Sequence, residues 1–259
     1  SSMSHIGFVL VGVGLINMLG EDNSLAAGGT FLHMINHTFV KISLFLIAGV
    51  IAMNTGKVNL NDIRGYGRRK PVLMIAFLLG GATMAGVPFT SGYVSKTLLH
   101  ESLLEYIGMV KQGLISGGLN NYGFLKTCEW IFLNAGGCTL AYMVKIFIAV
   151  FVEKPVSEAR GALEVEKEEK AKEKVPGYMS AACGVAILIP SLLFILGGIL
   201  PNAVMDSIAN QGMAFMLTEP SKESIRYFSW GNISGALISI AIGAFLYLVI
   251  IRGLFMKKD

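Results

Sequence analysis

Long apolar segments are the feature that most constrains how this chain can fold. Of its 259 residues, 53% are hydrophobic and only 15% carry charge, and the charged residues cluster between the apolar runs. A helix that spans a membrane needs about 20 predominantly apolar residues. Candidate segments occur at about 1–19, 28–53, 72–87, 88–111, 124–152, 179–200 and 232–251. Because lipid offers the backbone no hydrogen-bond partners, the sequence predicts an all-α, polytopic membrane helix bundle.

Other classes of protein find little support in the sequence. The three cysteines show no CxxC spacing, so neither a disulfide framework nor a zinc site is expected. The basic residues form no face interleaved with aromatic residues, so nucleic acid is not an expected partner. The lipid bilayer is the expected surroundings. The one long charged segment, 153–176, mixes glutamates with lysines and is typical of a solvated linker or a short surface helix.

Three ionisable residues interrupt the second apolar segment. In TFLHMINHTFVKISLFLIAGV, His33, His37 and Lys41 follow one another at intervals of four and therefore share one helix face. A lysine near the middle of a membrane costs about 2.5–3.5 kcal/mol on insertion scales, and it persists where it faces a polar interior or a partner. Apolar residues extend on both sides of Lys41, which makes snorkelling to the surface difficult. The stripe predicts a buried polar function.

Two other interpretations of this stripe stay open. The histidines could bond to carbonyl groups of neighbouring helices while the lysine reaches the interface. The HxxxH spacing could instead ligate iron or zinc, although membrane di-iron sites need several histidine boxes and this chain has four histidines in total. We expect no metal and no cofactor in this chain.

A second group of residues lies in GVPFTSGYVSKTLLHESLLEY, 86–106. Gly86, Pro88 and Gly92 predict a broken helix, because proline removes a backbone donor and glycine loosens the helix. Transporters use such breaks because the ends of half-helices present their dipoles to a charge pathway. Lys96 follows the break, and His100 lies four residues further on the same face. An ordinary proline-initiated helix with an interfacial lysine is the alternative.

A third basic residue, Lys145, lies within the apolar run LAYMVKIFIAV. It could take part in proton transfer or pair with a carbonyl group. Neutral histidine and desolvated lysine both exchange protons near physiological pH, so the chain has the residues of a hydrated proton relay. The predicted relay residues are His33, His37, Lys41, Lys96, His100 and Lys145. His5 lies near a span end, where polar residues are common, and is not included.

Four motifs in order give the chain a resemblance to a known family. SSMSHIGFVLVG, HMINHTFVKISLFLIAG, IRGYGRRKP and GVPFTSGYVSKTLL resemble the second half of the antiporter-like proton-translocating subunits. Members occur in respiratory complex I, in membrane-bound hydrogenases and in Mrp-type cation/proton antiporters. The resemblance covers about residues 1–155, and it leans towards the chain 5 type or the hydrogenase type of subunit.

The resemblance implies a five-helix repeat with a broken helix over 1–152, followed by a charged linker, 153–178, and C-terminal transmembrane helices, 179–259. The chain is then expected to be a piece of a longer polypeptide that starts at the second repeat. In this picture His33, His37 and Lys41 belong to the relay along the membrane mid-plane, and Lys96 is the key residue of the broken helix. Some members carry acidic residues directly after that lysine, where this chain has Thr97 and Leu98, and Glu101 is the candidate to replace them.

The function implied is proton translocation within an energy-converting redox complex, such as NADH:quinone oxidoreductase or a membrane-bound hydrogenase. Other membrane-arm subunits are the expected partners, and the bacterial inner (plasma) membrane is the expected location. An Mrp-type Na⁺/H⁺ antiporter subunit is the first alternative, and a scaffold that conducts nothing is the second.

Overall fold

Helices make up the fold of this protein. The computed structural model describes residues 1–115, 119–154, 177–220 and 225–255. Over these residues the α-helices are α1 Ser2–Leu19, α2 Ser24–Thr55, α3 Pro71–Ala85, α4 Ser91–Lys111, α5 Tyr122–Phe147, α6 Ala181–Ile199, α7 Pro201–Phe215 and α8 Trp230–Phe245. A 3₁₀ turn, Gly20–Asp22, follows α1, and the π-helical stretches Ile148–Val152 and Leu246–Phe255 continue α5 and α8.

The apolar segments form these helices because a helix satisfies its backbone groups internally. Five helical stretches of the described residues are long and apolar enough to cross a membrane, namely Ser2–Asp22, Ser24–Thr55, Tyr122–Val152, Ala181–Ile199 and Trp230–Gly253. α3 is apolar but has only 15 residues, and α4 carries a line of polar residues. All seven predicted segments are therefore helical. The prediction of an all-α, polytopic membrane bundle is confirmed.

Helix α7 was not predicted. It begins at Pro201, and its buried residues Met205, Ala209 and Met213 recur at intervals of four along one face. That face packs against α2. At 15 residues, α7 is too short and too polar to be found by a search for membrane spans.

Helices α2 and α4 form the centre of the bundle. α2 packs against α1, α3, α4, α6 and α7. In α4 the ten consecutive residues 91–100 are all buried, as expected of a helix that is surrounded by other helices. The position of α4 places Lys96 and His100 inside the protein.

The C-terminal helices pack directly on the first five helices. α6 contacts α2, α3 and α4, and α8 contacts α4 and α5. Most of the predicted charged linker, 155–176, lies outside the described residues. The boundaries at 152 and 178 stay predictions.

Candidate functional site

A helix break lies between α3 and α4, at residues 86–90 (the break). α3 ends where Gly86 takes a left-handed conformation, with φ of 79°, and donates its backbone N–H to the carbonyl of Ala82. Phe89 also has positive φ, at 67°, and the side chain of Thr90 caps the first turn of α4. Of the three residues predicted to form the break, Gly86 and Pro88 lie in it. Gly92 instead lies in the first turn of α4, where an added Cβ would collide with the Thr83 carbonyl oxygen.

The Lys96 ammonium group binds the open end of α3. Its Nζ atom donates to the backbone oxygens of Met84, at 2.9 Å, and of Ala85, at 3.1 Å. The last carbonyls of a helix have no partner within that helix and carry the negative end of its dipole. The break therefore supplies a buried cation with hydrogen bonds and favourable charge where no carboxylate of the described residues is in contact. An added Cβ on Gly86 would lie 2.8 Å from Cδ of Lys96, so the glycine also makes room for the lysine.

A line of hydrogen bonds leads from α4 to α1. Nδ1 of His33 lies 3.1 Å from Oγ of Ser95, the residue beside Lys96, and Nε2 of His33 lies 3.0 Å from Nδ1 of His5. The hydroxyl of Ser95 donates to the Gly92 carbonyl at 3.2 Å, so it accepts from His33. This assigns the protons: His5 donates to His33, and His33 donates to Ser95. A row of neutral groups that all donate in one direction can pass a proton along it.

His5 is the residue that sequence reasoning left out of the relay. It is 2% exposed, and its ring stacks at 5.1 Å from the ring of His33 and at 4.9 Å from the ring of His37. His5 therefore joins the two histidines of α2. Helical spacing relates residues within one helix only, and His5 lies on another helix. Its one signal in the sequence was a histidine in an otherwise apolar first segment.

His37 and Lys41 lie at the margin of this arrangement. Both are half-buried, and together with Thr38, Ile42 and Phe45 they line an open groove on the surface of α2. Lys41 donates to the hydroxyl of Ser1, and its Nζ atom lies 5.5 Å from the ring centre of Phe45. The predicted stripe on α2 thus runs from the buried His33 to the partly exposed Lys41.

Phe8 separates the histidines from the region around His100. Its ring lies 5.5 Å from the ring of His33 and 4.6 Å from that of Phe132, and Nζ of Lys96 lies 5.0 Å from its centre. The ring face of phenylalanine attracts a cation. Phe8 therefore adds a weak attraction for the ammonium group of Lys96 to the hydrogen bonds that hold it.

His100 faces a small cavity that Lys96 also lines. The cavity has a volume of about 30 Å³, and its lining includes Thr97 from α4 and Asn232, Gly235 and Ser239 from α8. A cavity needs about 10–15 Å³ of such volume to hold a water molecule, and the lining offers it polar partners. Lys96 and His100 can therefore be connected through water.

Lys145 is not brought to the other predicted residues. It is half-buried in the last turn of α5. Across the described parts of the chain, no hydrogen bond or ion pair joins it to His33, His37, Lys41, Lys96 or His100. Its role in the relay stays a prediction without a contact to support it. Nor do the described residues hold a group of three or more His, Cys, Asp or Glu side chains that could bind a metal ion.

Comparison with known proteins gives a family match for the first part of the chain. Residues 1–120 match the family model described as "NADH:quinone oxidoreductase/Mrp antiporter, TM". Over these residues the chain is similar to the antiporter-like subunits of both kinds of system. All of α1–α4, with the break and Lys96, lies within the matched residues. The resemblance seen in the four motifs is confirmed.

Individual relatives of this antiporter-like chain come from two kinds of system. NADH-quinone oxidoreductase subunit N of Desulforudis audaxviator is 35% identical over 105 residues, which cover 40% of this chain and 20% of the relative. A Na⁺/H⁺ antiporter subunit of Bacillus subtilis is 24% identical over 252 residues, which cover 93% of this chain and 29% of the relative. A solved chain in the Mrp complex of a Dietzia species has the same fold, with a TM-score of 0.67 at 20% identity over 99% of this chain and 27% of that one.

The antiporter-like chain spans 20% to 35% of the length of these and the other first curated relatives that it matches. The family match, the five membrane-crossing helices and the bacterial relatives agree on its location. It is an integral membrane protein of the bacterial plasma membrane, as predicted.

Proposed function

We propose that this chain is the proton-translocating part of a membrane subunit in an energy-converting redox complex. The observation that carries the proposal is the buried Lys96 ammonium group, held by the free carbonyls of a broken helix and next to a line of hydrogen-bonded histidines. A lysine in this position is costly to keep. Two routes for a proton meet at Lys96. One is the line of histidines, and the other is the small cavity that Lys96 shares with His100.

Proton transfer follows from the order of the hydrogen bonds. A proton that reaches Nε2 of His5 allows His5 to release its Nδ1 proton to His33, and His33 to release its own Nδ1 proton towards Ser95. Ser95 then turns its hydroxyl from the Gly92 carbonyl and passes its own proton through water to Lys96, which accepts it as a neutral amine after releasing its previous proton. Because the carbonyls of Met84 and Ala85 stabilise the charged amine more than the neutral one, a shift of the break changes the affinity of Lys96 for its proton.

The names of the relatives suggest the type of complex in which this chain works. Several carry the name NADH-quinone oxidoreductase subunit N. In such a complex, redox chemistry in other subunits moves charge at one end of the membrane arm and alters the hydration and charge around Lys96. This chain would then need no cofactor of its own, and its partners are other membrane-arm subunits.

The second candidate is an Mrp-type Na⁺/H⁺ antiporter subunit. A specific observation favours it: the Na⁺/H⁺ antiporter subunit of Bacillus subtilis aligns with 93% of this chain, including the C-terminal helices that lie beyond the family match. The same lysine and histidines would then exchange protons against sodium without a redox partner.

The substitution Lys96→Ala in the intact complex tests the shared part of both candidates. Removal of the amine is expected to lower proton translocation at least about tenfold while assembly survives, because general acid–base groups contribute factors of this size or more. Translocation is measured as quenching of a pH-sensitive dye in inverted membrane vesicles. Lys111→Ala, at the exposed end of the same helix, is the matched control.

The driving force separates the candidates. Quenching that follows addition of a reduced electron donor supports the redox complex, whereas a signal that appears only with a sodium gradient supports the antiporter. Parental translocation in the assembled Lys96→Ala variant contradicts both, and it supports the scaffold alternative.

A further inference from the structure

We infer that Glu129 and Lys126 of α5 form a branch, together with His100, through which the proton on Lys96 reaches one membrane surface. This branch (His100, Glu129 and Lys126) deepens the proposed function and rests on it. The relay predicted from the sequence does not include Glu129, because helical spacing relates residues of one helix only and the relay residue that it contacts, His100, lies on α4.

The three side chains follow one another in space. Nε2 of His100 lies 3.6 Å from Oε1 of Glu129, and the other carboxylate oxygen, Oε2, lies 2.5 Å from Nζ of Lys126. The exposed fraction of the side chains rises along the row, from 10% at His100 to 13% at Glu129 and 38% at Lys126. The row therefore leads from the interior to the surface.

Depth in the membrane changes in the same order. α4 ends at Lys111 and α5 begins at Tyr122, so both of these helix ends lie on the same side. At 1.5 Å per residue, Lys96 lies about 22 Å and His100 about 16 Å from the end of α4. By the same rise, Glu129 lies about 10 Å and Lys126 about 6 Å from the start of α5. The branch therefore runs towards the side of the protein on which α4 ends and α5 begins.

The small cavity connects Lys96 to the first member of the branch. Lys96 and His100 both line it, and its volume of about 30 Å³ suits a water molecule. α8 leaves room for the imidazole, because an added Cβ on Gly235 would lie 3.1 Å from Nδ1 of His100. The ring of Phe132 stacks at 5.7 Å on the ring of His100 and fixes its orientation towards Glu129.

Glu101 is the competing acidic group on α4. Its Oε1 atom accepts from Nδ2 of Asn232 at 2.8 Å, and this bond ties it to α8 rather than to a row that reaches the surface. Nε2 of His100 lies 3.6 Å from the Glu129 carboxylate, and the two form an ion pair when the imidazole is protonated. The contacts therefore favour α5 as the way out.

Transport by the intact complex tests the branch with variants of Glu129 and of the titratable residues around it. Glu129→Gln keeps the shape of the side chain but removes the proton carrier, and we expect at least tenfold slower translocation in correctly assembled complex. Glu129→Asp retains a carboxylate and is expected to retain measurable transport. Glu153→Gln is the matched control, since this carboxylate pairs with Arg64 at 3.4 Å outside the branch. Lys96→Ala reports on the proposed function itself.

The outcomes separate the two proposals. Slow transport in both Glu129→Gln and Lys96→Ala supports the branch. Parental transport in Glu129→Gln together with loss in Lys96→Ala overturns the branch and leaves the proposed function standing, and loss in Glu101→Gln instead assigns the way out to α8. Parental transport in Lys96→Ala overturns the proposed function. If Glu129→Gln does not accumulate, His100→Gln decides in its place by the same comparison.

Accessibility provides a second, independent test. In a protein whose three cysteines, Cys128, Cys138 and Cys183, are replaced by serine, Lys126→Cys is expected to react with a membrane-impermeant maleimide from one side of the membrane. Thr139→Cys, at a fully buried position of the same helix, is expected to stay unlabelled. Protection of Lys126→Cys from both sides overturns the branch, because its last member would not meet water.

Discussion

At the scale of single residues, Lys96 shows how a membrane protein can keep a charge inside. Within the part of the chain that the structure describes, no carboxylate contacts its ammonium group, which instead binds two carbonyls at the end of α3. Such an arrangement holds the charge without neutralising it permanently. A lysine held only by dipoles can lose its proton more readily than one that is paired with a carboxylate, and this suits a group that must exchange protons.

His5 carries a prediction at this scale. His5→Leu removes the group that donates to Nε2 of His33 and that stacks between the two histidines of α2, so proton translocation is expected to fall roughly tenfold or more. Vesicle quenching measures the rate, and immunoblotting measures the assembled complex. Met3→Leu, on the same helix at an exposed position, is expected to leave the rate unchanged. Equal rates in both variants would remove His5 from the relay.

At the scale of elements, the break is held in place from outside. Gly198 of α6 approaches the backbone of Phe89 and Thr90 so closely that an added Cβ would overlap it. Gly92 of α4 approaches the carbonyl of Thr83 in the same way. The conformation of the break therefore depends on close packing by glycine as well as on its own Gly86 and Pro88.

Gly198→Ala tests this dependence. Since backbone atoms of the break meet the new methyl group, they must shift, and we expect destabilisation by about 1–3 kcal/mol together with slower translocation. Gly49→Ala, in α2 where an added Cβ meets open space, is expected to be neutral or to stabilise by up to about 1 kcal/mol. Thermal unfolding of the detergent-purified protein compares the two. A Gly198→Ala protein as stable as Gly49→Ala would contradict the close packing.

The motif IRGYGRRKP has a structural role at the same scale. The N–H groups of Gly65 and Gly67 donate to the carbonyls of Ala149 and Val150, each at 2.9 Å. These carbonyls belong to the π-helical end of α5. The last carbonyl groups of a helix have no hydrogen-bond donor within that helix. The motif thus ties the connection between α2 and α3 to the end of α5.

At the scale of the whole molecule, the C-terminal helices close the bundle around α4. The hydroxyl of Tyr93 donates to the Tyr227 carbonyl at 2.7 Å, and the hydroxyl of Tyr227 donates to Asp206 of α7 at 2.5 Å. Asn202 donates to the other oxygen of that carboxylate at 3.0 Å. Contacts between residues 93 and 227 join α4 to a segment more than a hundred residues further along the chain.

Tyr227→Phe is predicted to weaken this closure. It removes a hydrogen bond to a charged group, which contributes about 1.5–3 kcal/mol, and the free energy of unfolding should fall by that order. Tyr122→Phe, at an exposed position, serves as the control and should have no effect. Denaturation in detergent at neutral pH measures the difference, and equal stability of the two variants would contradict it.

The pH dependence of that difference is a separate prediction. Burial, together with the hydrogen bond to Asp206, raises the pKa of the Tyr227 hydroxyl well above its usual value. A raised pKa means that folding favours the protonated form, so the stabilisation is complete below about pH 10, the pKa of an unfolded tyrosine, and declines above it. The stability gap between the parent and Tyr227→Phe should therefore narrow as the pH rises above about 10. A gap that stays constant or widens over this range would contradict the prediction.

Much of this protein follows from its sequence alone. Apolar segments of span length determine a helical membrane bundle, because the backbone has no other way to satisfy its groups in lipid. Gly86 and Pro88 determine the break, because one favours a left-handed turn and the other cannot continue a helix. The intervals of four place His33, His37 and Lys41 on one face, and Lys96 with His100 on another.

Only the tertiary structure decided which of these groups meet. His5 joins the relay through the packing of α1 on α2, Glu129 meets His100 through the packing of α5 on α4, and Lys145 is left apart from both. Helix α7 was not predicted because only one of its faces is apolar, and that face packs against α2. The physical reason is the same in each case: periodicity determines the face of a helix on which a side chain lies, whereas the neighbour of that face depends on how separate helices pack.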